Sequence, residues 1–144
     1  MTARFGPAGN CIAFSAAHRS SLDAPDWLAR RGLDCYEYQC GKGVHIGEDT
    51  ARALGQRACD AGIALSLHAP YFINLANPDP EAVRRTVHYV LSACQAARWM
   101  GAARVVIHSG ALMGRSRGEA LAIAKDTLLT VLAACDGAGY GDIA

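Results

Sequence analysis

The chain lacks a charge excess of either sign. Its 144 residues carry 14 basic and 13 acidic side chains, a formal net charge of +1. No overall field draws it onto nucleic acid, and any such contact has to come from a local patch. There is no CxxC pair: Cys11, Cys35, Cys40, Cys59, Cys94 and Cys135 are irregularly spaced. That argues against a disulfide framework and for a reducing, cytoplasmic setting. No GxxxxGK phosphate loop occurs. No apolar run reaches membrane-spanning length, and glycine-rich residues 1–10 lack the apolar region of a signal peptide. What is present is a chain 51% hydrophobic, which excludes a disordered protein and suits one domain with a real core. Residues 1–144 are accordingly read as a single domain.

Strand and helix signals alternate. Ala3 to Gly6 is a weak first strand. Asp23 and Pro25 open a helix with Trp27 and Leu28 on its buried side. Asp34 to Gln39 is a second strand, and Gly47-Glu48-Asp49-Thr50 starts an alanine-rich helix that ends before Gly62. Ile63 to His68 is a third strand. Asp79-Pro80-Glu81 caps a long helix in which Val83, Val87, Val90, Leu91 and Cys94 mark one buried face, and Gly101 ends it. Arg104 to His108 is a fourth strand. Ser116-Arg117-Gly118-Glu119 is a capping box before a last helix that stops at Gly137 and Gly139. Asp142-Ile143-Ala144 looks like the beginning of a fifth strand. Cys59, Cys94 and Cys135 fall inside helical patterns, the ordinary place for a small buried thiol.

Successive strands start about 30 to 40 residues apart, a period suited to repeated βα units. The fold class expected is α/β, a parallel (β/α)₈ TIM barrel of which the chain covers about the first four units, since a whole barrel needs about 250 residues. The rival is a small doubly wound sheet. Alternation favours the barrel. Leu65 and Leu67 face away from Ser66 and His68, and Val105 and Ile107 away from Arg104 and His108. Each strand offers one apolar face and one that turns polar towards its end, whereas a sheet covered on both sides is more often apolar on both.

Two histidines close hydrophobic strands. His68 ends Ala64-Leu65-Ser66-Leu67-His68, and His108 ends Arg104-Val105-Val106-Ile107-His108. In parallel barrels chemistry sits at the carboxyl ends of the strands, and neutral imidazole is the commonest protein ligand for zinc. Against this stands the reading of each as a hydrogen-bonded core residue.

The string His68-Ala69-Pro70-Tyr71-Phe72-Ile73-Asn74-Leu75, followed forty residues after His68 by His108-Ser109-Gly110, resembles the endonuclease IV family. These are apurinic/apyrimidinic endonucleases among the xylose-isomerase-like barrels. The likeness extends back through Tyr36-Glu37-Tyr38-Gln39-Cys40-Gly41 to Phe5-Gly6-Pro7-Ala8-Gly9-Asn10, and covers the amino-terminal half of such an enzyme. The family more often has proline after the second histidine. The resemblance implies a three-zinc phosphodiesterase that cuts double-stranded DNA 5′ to abasic sites. It implies that His68 and His108 share one zinc, completed in the family by a glutamate on the fifth strand, which here would fall past Ala144. It also implies that Tyr71 and Phe72 push into the DNA minor groove, where an apolar wedge unstacks and bends the duplex. The alternative is that both rings pack under their loop. Asn74 and Leu75 read as loop-fixing residues.

Other polar residues are less informative. Lys42 and His45 lie in the glycine-bearing loop after the second strand. Arg115 and Arg117 read first as solvated loop residues and second as phosphate contacts. His18 and His88 read as bystanders, and Glu37, a carboxylate on a strand's interior face, needs a partner. Three functions stay open: an abasic-site endonuclease present as its first half, a sugar isomerase or epimerase on the same barrel, and a non-catalytic half-barrel. The unpaired edges of a half-barrel invite self-association.

Overall fold

The computed structural model describes residues 3–143. Three parallel strands, β1 (Cys35–Gln39), β2 (Ala64–His68) and β3 (Val105–Val106), lie side by side in chain order. Five helices accompany them: α1 (Ile12–Ala17), α2 (Ala24–Ala29), α3 (Glu48–Asp60), α4 (Pro80–Met100) and α5 (Arg117–Gly137). A single 3₁₀ turn spans Ser21–Asp23. Each strand is followed by a helix, and β1 and β2 then by a parallel neighbour. That is the order of successive barrel units and not of a doubly wound sheet, in which the strand order reverses.

Local sequence explains the helices. Pro80 occupies the first turn of α4, Asp79 accepts from the Glu81 amide at 3.1 Å, and Gly101 ends the helix at φ 68°. The box before α5 forms as the sequence predicts, with Ser116 and Glu119 each satisfying the other's amide. Helix α1, with Phe14 buried against Trp27, has no counterpart in the sequence reading.

Two strands differ from expectation. The first, Ala3–Gly6, is not a strand; the segment touches β1 through one parallel bridge, Ala8 to Glu37. Around it the Asp34 amide donates to Phe5, the Glu37 amide to Pro7, and the Gly9 amide to Glu37. Pro7 has no amide to extend a ladder. Gly6 lies so close to β1 that a Cβ there would stand 1.7 Å from the Cys35 carbonyl oxygen. The strand expected over Arg104–His108 pairs only at Val105 and Val106. The Leu67 and Ala69 amides reach the Arg104 and Val106 carbonyls, and the next amide on that side, that of Tyr71, donates to the Gly41 carbonyl and not to His108. The expected start of a fifth strand is a turn at Gly141 and Asp142, and Ala144 lies outside the described residues.

The core lies on one side of the sheet. Tyr36 and Leu67 are buried beneath the helices, Leu67 among Ala51, Val90, Ala97 and Val131. The opposite face carries Glu37, Ser66, Arg104 and Val106. It lines an open groove of ≈ 780 Å³ bounded by strand residues and Arg4. Of the cysteines expected to be buried, Cys94 and Cys135 are, and Cys59 is exposed. Burial, with Cys135 beside it, pushes the Cys94 thiol up to about 12.

Candidate functional site

The carboxyl ends of the three strands and the loops that follow them form one surface. His68 is pinned there from both sides: its carbonyl accepts the Cys40 amide at 2.9 Å, and the Ala69 amide donates to Val106. His68 is paired in register with Val106, and His108 stands two residues further on, so the two imidazoles share a sheet face. Their rings meet edge to face with centroids 5.0 Å apart. Nδ1 of His68 lies 2.8 Å from the Ala69 carbonyl. A carbonyl only accepts, so Nδ1 is the donor, and in the neutral ring it is Nε2 that has the lone pair. Among the described residues no third His, Cys, Asp or Glu joins the pair. Cys40 is close in sequence to this edge, but burial pushes its thiol up to about 11 and keeps it neutral.

The loops are tied together by Asn74. Its Oδ1 accepts from the Ala76 amide at 3.0 Å, closing its own turn, and from the Ala111 amide at 3.1 Å, across 37 residues. Gly110 makes the bridge possible: it adopts φ +108°, and a Cβ there would lie 1.8 Å from Asn74 Oδ1. The Tyr71 amide donates to Gly41 at 3.3 Å, joining the loop after β1 to the same surface.

The apolar string divides by direction. Pro70, Ile73, Leu75 and Ala76 are buried anchors, whereas Tyr71 and Phe72 are 57% and 44% exposed. Neither ring is packed under its loop. Phe72 leans edge-on against Tyr89 of α4 at 4.8 Å, and Tyr71 against Phe72 at 5.7 Å. Nothing in a sequence reading of α4 singled out Tyr89, which adjoins the buried Val90 on an otherwise ordinary amphipathic helix.

The remaining polar residues separate plainly. His18 stacks on Phe14 and faces Asp23, far along the chain from the histidine pair. His45 bonds back to the Lys42 carbonyl within its own loop. Glu37 finds its partner in the Gln39 amide at 2.9 Å. Arg117 is exposed at the start of α5, but Arg115 is half-buried, with Nη1 enclosed and without a hydrogen-bond partner among the described residues.

Comparison with known proteins agrees with this architecture. Over 113 residues the chain is 31% identical to an uncharacterised protein of Methanocaldococcus jannaschii, a match covering 78% of this chain and 39% of that one. Over 90 residues it is 31% identical to a probable endonuclease 4 of Nitratidesulfovibrio vulgaris, covering 62% and 32% of the two chains. A D-psicose 3-epimerase of Clostridium cellulolyticum superposes with a TM-score of 0.71 at 12% identity over 86% of this chain and 45% of its own. Endonuclease IV of Thermus thermophilus does so with 0.56 at 19% over 78% and 41%. At such identities the superpositions establish fold alone. The chain thus spans well under half the length of the relatives it matches. A profile of the xylose isomerase-like TIM barrel matches residues 25–140, and with the parallel sheet in chain order and the histidine-bearing strand ends this establishes that the chain belongs to the xylose isomerase-like TIM barrel family.

Proposed function

We propose that this chain supplies the first half of a zinc-dependent endonuclease that hydrolyses the DNA backbone 5′ to abasic sites. The observation that carries the reading is the His68–His108 pair. A zinc–nitrogen bond of about 2.1 Å in tetrahedral geometry sets two imidazole centres about 5 Å apart, and the rings stand at 5.0 Å. The protonated Nδ1 of His68 leaves Nε2 as the ligating atom, with the Ala69 carbonyl fixing the tautomer. Clustered zinc ions, when bound, neutralise charge developing on phosphate oxygens and lower the pKa of water. The chain's own residues set the two imidazoles side by side at the sheet edge, and present Tyr71 and Phe72 outward where a duplex minor groove would meet them. Similarity to probable endonuclease 4 proteins supports an endonuclease.

Two imidazoles make an incomplete site, so the 144-residue chain by itself should bind zinc weakly and nick abasic DNA poorly or not at all. A complete barrel carrying it should nick in a chelator-sensitive way, and His68→Asn or His108→Asn should abolish zinc uptake at this edge. Robust nicking by residues 1–144, or zinc uptake indifferent to both substitutions, overturns the assignment.

A sugar epimerase, which shares this barrel fold, is the second reading. Two outward aromatic rings suit a duplex better than a small enclosed sugar. A complete barrel that ignores abasic DNA and interconverts ketoses decides for the epimerase.

A further inference from the structure

Tyr71 and Phe72 do not end at the loop. Successive ring pairs run Tyr71–Phe72 at 5.7 Å, Phe72–Tyr89 at 4.8 Å and Tyr89–His88 at 5.9 Å. The row runs from the loop after β2 onto the first half of α4. Arg85 stands one turn before Tyr89 on the same helix face. It is exposed and makes no ion pair among the described residues, whereas its neighbour Arg84 is matched by Glu81. Beside this row lies a cavity of ≈ 150 Å³ lined by Phe72, Asn77, Arg85, Thr86 and Tyr89, a volume comparable to the roughly 150 Å³ that admits a benzene ring. Thr86 is buried yet borders the cavity, and with Asn77 it supplies polar groups there.

Exposed and half-buried rings in sequence, an unmatched guanidinium alongside and a ring-sized cavity beside them are what a flexible nucleic-acid strand requires. Bases stack on aromatic faces without regard to sequence, and arginine takes the phosphate. A buried row of rings would serve packing alone, but Tyr71 and Phe72 face water, and an unpaired cation at the rim adds nothing to a core. We infer that Phe72, Tyr89 and Arg85 form a nucleotide-binding track over which a DNA strand flanking the cleavage point runs, with a base against the rings and its phosphate on Arg85. The inference takes its substrate from the endonuclease reading, but it concerns a surface on α4 separate from the histidine pair.

The test is fluorescence anisotropy of the 144-residue chain with a labelled single-stranded oligothymidylate across a salt series, using the wild type, Arg85→Gln, Tyr89→Phe and Tyr89→Ala. Arg85→Gln changes an exposed side chain and leaves the fold intact. It should weaken binding and flatten the slope of log K against log salt by about 0.7, one phosphate contact on a single strand. Tyr89→Ala should cost about 5- to 100-fold in affinity, the range for loss of one stacked base, whereas Tyr89→Phe keeps the ring and should bind like the wild type. An unchanged affinity and slope in Arg85→Gln overturns the track, as does failure of the wild type to bind at low salt. Nicking of abasic DNA by a complete barrel distinguishes the two ideas. Nicking that persists while Arg85→Gln and Tyr89→Ala bind normally sinks the track alone. Binding that depends on both residues without any nicking sinks the endonuclease and leaves the track.

Discussion

Replacing Gly110 with alanine should unfasten the loop that follows His108. The residue sits at φ +108°, and the new Cβ would stand 1.8 Å from Asn74 Oδ1 and 3.0 Å from Asn74 Cα. Rotation of the amide relieves the first contact and not the second, so the two loops have to part. Parting breaks the Ala111 amide's bond to Asn74 and disturbs that of Ala76. An alanine in that backbone region costs about 1–3 kcal/mol and each lost hydrogen bond about 0.5–1.5 kcal/mol, a total of about 2–5 kcal/mol. Against the 5–15 kcal/mol typical of a domain this is a large fraction. Urea unfolding followed by circular dichroism measures it as a lower midpoint at unchanged slope. Amide exchange at Ala76 and Ala111 reports the local opening directly. Asn74→Ala removes the clashing oxygen, so the two substitutions should couple by about 1 kcal/mol or more in a double-mutant cycle. The displaced loop should also weaken zinc uptake by the histidine pair about tenfold, as losses of supporting groups do. A Gly110→Ala protein within 0.5 kcal/mol of the wild type, or additive with Asn74→Ala, refutes this account of the bridge.

Two further outcomes follow from the same geometry. The Ser116 hydroxyl and amide hold the Glu119 carboxyl below its ordinary range, so its contribution to α5 is complete above that range and is lost as pH falls through the lowered folded value. Protection factors of the amides in the first turn of α5 should fall with acid in the wild type, and fall less in Ser116→Ala, which loses the hydroxyl and keeps the backbone amide's bond to the carboxylate. Cys11 and Cys59 are exposed while Cys40, Cys94 and Cys135 are buried, so mass spectrometry after brief alkylation of the native chain should find the first two modified and the other three protected until urea is added.

What was legible in the sequence was whatever short-range chemistry decides. The caps at Asp79-Pro80-Glu81 and Ser116–Glu119 span four residues or fewer, so they form wherever their residues occur together. The face of each strand follows from alternation, and that sufficed to place His68 and His108 on one side of a parallel sheet, with Leu67 under the helices. What only the tertiary structure decided depends on a second segment of chain. The strand expected over Arg104–His108 shortens because the Tyr71 amide, next in line after that of Ala69, donates to Gly41 in another loop and not to His108. The first strand fails because Pro7 breaks its own hydrogen bonding while Gly6 presses onto Cys35. Gly110 reads in sequence as an ordinary loop glycine, and its need for a bare Cα becomes visible only when Asn74 arrives across 36 residues. Tyr89 likewise looks like one more half-buried helix residue until folding sets Phe72 against it. Periodicity records which side of an element is apolar; which ring, amide or proline meets that side is fixed by where the rest of the chain packs.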